Sequence, residues 1–79
     1  MEGFKGDLQL KNFLIEAKST TGLSIGVKFD WLVKIAKEAR QTGKTPVLAI
    51  SFVKGSGDPE PNGEWAMIPM SLFKEIVGD

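Results

Sequence analysis

The run "TPVLAISFV" at 45–53 constrains the fold of this chain more than any other feature, because it is apolar almost throughout. A strand with one wet face alternates apolar and polar residues. An unbroken run bounded by turn formers reads instead as a strand covered on both faces, inside a sheet that carries helices. Gly43 and Pro46 mark its start.

The segment upstream supplies what packs against it. Phe29, Leu32, Ile35, Ala36 and Ala39 recur at helical spacing, which predicts a helix from residue 29 or 30 to 42 with Lys34, Lys37 and Arg40 on its other faces. Asp30 suits an N-cap or first-turn acid, and Gly43 suits the left-handed position past the end. Before it, "NFLIEAKST" at 12–20 holds Phe13, Leu14, Ile15 and Ala17, which look like sheet interior. A strand, a helix and a second strand crossing over right-handed make the two strands parallel. The expected fold class is therefore α/β, a mixed β-sheet flanked by helices.

The remaining segments extend this unit. Residues 7–11 alternate polar residues with Leu8 and Leu10, a strand with one buried face, and the short connection at Asn12 permits only an antiparallel hairpin with the next strand. Residues 19–22 read as a polar loop, and "LSIGVK" at 23–28 as a short extended piece. The Gly- and Pro-rich "KGSGDPEPNGE" at 54–64 predicts a flexible surface excursion. "EWAMIPM" at 64–70 follows as a last strand that Pro69 ends or places at an edge, and Ser71 caps a closing helix at 72–77. With 79 residues the chain is expected to be one domain, 1–79, near the lower limit for a single core, so association between chains is expected from size.

Composition then removes most chemistry. The chain has no His and no Cys, which excludes Ser-His-Asp and Cys-His catalysis, His general bases and thiolate or imidazole zinc sites. Carboxylates, lysines and hydroxyls remain, and the metal they suit is a hard cation, Mg2+ or Mn2+. No apolar run approaches the roughly 20 residues that span a bilayer and no secretory leader is evident, so the sequence predicts no membrane partner and a cytoplasmic protein. Net charge is zero, yet residues 1–56 hold nine basic against five acidic residues, a balance of +4, and residues 57–79 hold one against five, −4. A binding face and ordinary solvated charges are equally compatible with that split.

The charges inside "NFLIEAKST" carry the functional reading. Side chains two apart on a strand point the same way, so Glu16 and Lys18 share one face while Ile15 and Ala17 share the other. A hairpin at Asn12 would bring Asp7 beside them, and close carboxylates repel unless a cation neutralises them. A cation held by Asp7, Glu16 and the backbone carbonyl of Ala17 could lower the pKa of a bound water, with Lys18 positioning or deprotonating that water or offsetting charge on a phosphate. The competing reading is a salt bridge on a solvated edge, since an acid two residues before a lysine arises by chance about once per hundred positions.

Glycine-aspartate opening a strand, a hairpin, an apolar run into E-x-K, an amphipathic helix and a buried strand together resemble the PD-(D/E)XK nuclease superfamily, and within it the Holliday junction resolvases of archaea and phages. The resemblance covers "GDLQLKNFLIEAKST", "FDWLVKIAKEARQTGKTPVLAISF" and "WAMIPMSLFKEI", with Asp7 at the metal-binding aspartate and Glu16 and Lys18 at the E-x-K. It implies a restriction-endonuclease-like fold, a metal-dependent endonuclease with Asp7, Glu16 and Lys18 as catalytic residues, and resolution of four-way DNA junctions by a homodimer or larger assembly, in a host cytoplasm if phage-encoded. Those nucleases usually begin with a helix before the aspartate; only six residues precede Asp7, so the chain is expected to lack it. The alternatives are a flap, mismatch or nonspecific nuclease on the same fold, and a non-catalytic DNA-binding or assembly module.

Lys5, Lys11, Thr20, Lys28 and Lys34 are candidate DNA contacts; helix-surface lysines are also commonly just solvated, and Thr20 suits loop capping. Trp31 and Trp65 are expected to pack in a core or dimer interface rather than stack on bases.

Overall fold

The structure, a computed structural model, describes residues 12–78. The strand expected at 7–11 and its hairpin therefore lie outside the described residues. Along the chain run β1 (Phe13–Thr20), α1 (Phe29–Thr42), β2 (Thr45–Val53), β3 (Pro59–Met67) and α2 (Met70–Val77). The three strands form one mixed sheet in the order β1-β2-β3, with β1 parallel and β3 antiparallel to β2. The α/β class, the parallel pair and the helix between them agree with expectation. No helix among the described residues is long and apolar enough to cross a membrane.

Helix α1 starts one residue after Lys28, which offers no side-chain cap; Asp30 lies in the first turn, where a negative charge meets the positive end of the helix dipole. At the other end Gly43 takes φ 68°, and the N–H groups of Gly43 and Lys44 donate to the carbonyls of Arg40 and Ala39. That pair of bonds satisfies two end carbonyls and reverses the chain directly into β2.

The core forms where α1 lies on the sheet. Ile35 from α1 and Leu48 and Ile50 from β2 are buried together, with Leu14, Trp31, Leu32 and Phe52 packed around them. No residue of β2 is exposed, but Thr45, Ala49, Ser51 and Val53 on the face opposite α1 are only half-buried, so the helix cover expected on both faces is present on one among the described elements. Alternation puts Leu14, Glu16, Lys18 and Thr20 half-buried on one side of β1, and leaves Phe13, Ile15 and Ala17 exposed on the other. Of the apolar residues read as sheet interior in β1, only Leu14 joins the core; Ile15 is 62% exposed. The reason is that α1 packs on one face only, and among the described elements α2 has no extensive contact with any other.

Other sequence expectations change too, among them the polar loop expected at 19–22, of which Ser19 and Thr20 belong to β1. Residues 23–28 form no strand. Phe29, assigned to the helix's apolar face, is exposed. Strand β3 begins at Pro59, five residues before the expected start at Glu64, so the surface excursion shrinks to the turn after Val53. Two prolines are tolerated because β3 is an edge strand among the described residues and a missing N–H costs no ladder bond on the solvent side. Pro59 pairs with Val53 across an irregularity between Ser51 and Val53, and Gly63 fits there because a Cβ would come 2.7 Å from the Phe52 carbonyl oxygen. Finally, α2 begins at Met70, and Pro69 rather than Ser71 is its N-cap. The Pro69 carbonyl accepts from the N–H groups of Leu72 and Phe73, which leaves Ser71 inside the first turn.

Candidate functional site

Strand β1 and helix α1 build the site between them. The parallel register pairs Glu16 with Leu48 and Lys18 with Ile50, which places both charged residues on the sheet face that α1 covers. On α1, Trp31, Lys34 and Ile35 fall three and four residues apart and so share a face. These five side chains meet: Glu16, Lys18, Trp31, Lys34 and Ile35 line a shallow pocket of about 50 Å³, room for a water or small ion.

Lys18 is held from two sides. Its Nζ lies 4.0 Å from Glu16 Oε2, a Coulombic contact beyond hydrogen-bond range. The same Nζ sits 4.5 Å from the centroid of the Trp31 ring. The Glu16 and Lys18 side chains are 46% and 32% exposed, so the ion pair is worth about 0–1 kcal/mol. A cation over an indole adds about 0.5–2 kcal/mol, the upper end when desolvated.

The remaining candidates divide. Lys34 joins Glu16 and Lys18 at the pocket. Thr20 ends β1 on the same face, where its Oγ1 accepts from the Gly22 N–H at 3.0 Å; the hydroxyl is a turn-forming group whose own O–H remains a donor. Lys28 is exposed just before α1 and does not line the pocket. Ala17 lies on the opposite face from Glu16, so only its backbone could contribute to a site there. Lys5, Asp7 and Lys11 lie outside the described residues.

Among the described residues, no three of His, Cys, Asp or Glu come together to hold a metal. What they offer a hard cation is partial: the Glu16 carboxylate, which receives no hydrogen bond from a described residue, and the Ala17 carbonyl. Oxygen donors of this kind suit a hard cation such as magnesium or manganese, and Asp7, the further ligand expected from the sequence, lies outside the described residues.

Sequence reading favoured core or dimer packing for Trp31 over base stacking. It does pack on the core, yet its ring also carries the Lys18 ammonium. The available signal was the spacing of Trp31, Lys34 and Ile35, which aims an indole and a lysine at one side of the neighbouring strand. Compared with family models, curated proteins and solved structures, the chain matches none.

Proposed function

We propose that this protein is a metal-dependent endonuclease of restriction-endonuclease-like fold that hydrolyses DNA phosphodiesters, and that it acts on four-way junctions as a homodimer. The observation that carries the reading is the placement of Glu16 and Lys18 side by side on the half-covered face of β1, with Lys34 beside them. A carboxylate for a hard cation and an ammonium for the phosphate then share one pocket. Asp7, Glu16 and the Ala17 carbonyl would hold Mg2+ or Mn2+, which when bound supplies a Lewis acid for the scissile phosphate. The Nζ of Lys18 orients the attacking water by donating to it and offsets charge that develops on the phosphate oxygens. Lys34 contacts a non-bridging oxygen of the backbone and so fixes register rather than sequence.

Pairing of two chains supports paired incisions, because two-fold symmetry supplies two sites on opposite strands of a junction. An apolar groove of about 460 Å³ lined by Phe29, Leu32, Val33, Pro46, Met67 and Met70 leaves surface for such an association.

The test is metal-dependent cleavage of a labelled four-way junction against a linear duplex of the same sequence. Preferential cutting of the junction supports the reading. Equal cutting of both points to a nonspecific nuclease on this scaffold, and binding of the junction without cutting in either metal points to a non-catalytic module.

A further inference from the structure

We propose that Trp31 is a positioning residue for Lys18: the indole holds the ammonium at the Glu16 pocket in the place where a phosphodiester would meet it. The inference rests on the nuclease reading of Glu16 and Lys18. A lysine side chain is free in four torsions, and a group that acts in a transition state contributes only when it already stands in place. Glu16 restrains Lys18 weakly, because 4.0 Å is a point-charge contact with no directional bond. The Trp31 ring supplies a surface, with Nζ 4.5 Å from its centroid. That ring is itself fixed, since Trp31 packs against the buried Ile35, Leu48 and Ile50. Core packing is thereby transmitted through one aromatic ring to a charged group at the rim.

The arrangement also leaves the ammonium usable. An indole face attracts the cation through its ring quadrupole and takes up less of its hydrogen-bonding capacity than a second carboxylate, which would compete with the phosphate for the N–H donors. Lys34 brings positive charge to the same pocket but has no ring contact among the described residues, so it serves as the internal control.

The chain has two tryptophans, and Trp65→Phe makes Trp31 the sole indole. In that background Lys18→Met, which keeps the aliphatic stem and removes the charge, should change the emission of Trp31 in wavelength or intensity by more than Lys34→Met does. In junction cleavage with Mg2+, Trp31→Leu should lower kcat about tenfold and leave KM within about twofold, and Trp31→Phe should restore part of the loss because a benzene ring holds a cation more weakly. Both variants are assayed well below their melting temperatures. An emission spectrum that ignores Lys18→Met overturns the proposal, as does a Trp31→Leu enzyme with unchanged kcat. Equal kcat losses in the Leu and Phe variants would also overturn it. If the wild type cuts nothing, the nuclease reading fails by itself, and the Trp31–Lys18 contact is decided by the emission comparison.

Discussion

Glu16 stands directly across the β1–β2 register from Leu48, so a half-exposed carboxylate shares a sheet face with a side chain only 2% exposed. Strand neighbours this close nevertheless have separable roles. Leu48→Ala should destabilise the protein by about 2–5 kcal/mol, the range for emptying a large buried side chain. Glu16→Gln should stay within about 0.5 kcal/mol of wild type, as surface substitutions do. Urea unfolding of the two variants checks this, and a reversed ranking would place Glu16 in the core instead of at a site.

Metal binding is the complementary measurement. Manganese or magnesium should bind the wild type, and Glu16→Gln and Asp7→Asn should each weaken that binding, because each change removes a charged oxygen donor from a hard cation. Calorimetry that finds the same affinity in all three proteins would remove the metal site from the proposal.

Gly63 is held by backbone on two sides: a Cβ there would lie 2.7 Å from the Phe52 carbonyl oxygen and 2.8 Å from that of Glu60. Neither obstacle is the end of a flexible side chain, so relief requires the β2–β3 pairing to shift. Gly63→Ala should therefore lower stability by about 1–3 kcal/mol, the usual range for overpacking. Gly55→Ala serves as the comparison, because a Cβ at that position would meet nothing within 4 Å. Thermal melts showing equal losses for the two would contradict the close approach.

What could be read in the sequence was what local periodicity and turn chemistry determine. Helix α1 and its left-handed Gly43 follow from spacing plus one glycine, and β2 follows from an apolar run that only an interior strand accommodates. The start of β3 escaped because Pro59 and Pro61 argue against a strand unless its edge position is known, and edge position is a property of the sheet. The same limit applies to the site. That Glu16 and Lys18 share a face is a period-two statement, but which face α1 would cover depends on packing across residues distant in sequence. Trp31 reaches Lys18 only once that choice is made.

Association should follow from exposed apolar surface. Met70, Phe73 and Val77 fall at helical spacing on α2 and are exposed, and Met70 also lines the groove beside Phe29 and Val33. A chain this small gains most by burying such a stripe against another copy. Light scattering at micromolar concentration should give at least a dimer mass, and Phe73→Glu, which puts a charge into the stripe, should shift the protein toward monomer. A monomer mass for the wild type would rule out the paired-incision geometry.

The sharpest separation between a reactive lysine and a structural one is Lys18→Ala. The ion pair with Glu16 is half-exposed, so its loss should cost only about 0–1 kcal/mol in stability, with the lost indole contact adding about 0.5–2 kcal/mol. Junction binding should remain close to wild type, because Lys34 and the other basic residues still meet the backbone and phosphate contacts are distributed. The cleavage rate should fall by about two or more powers of ten, the scale for removing a group that stabilises charge in the transition state. Single-turnover cleavage with saturating enzyme reads the chemical step apart from binding. Equal rates for wild type and Lys18→Ala, in protein that melts within a few degrees of wild type, would reduce Glu16 and Lys18 to a salt bridge at the edge of a sheet.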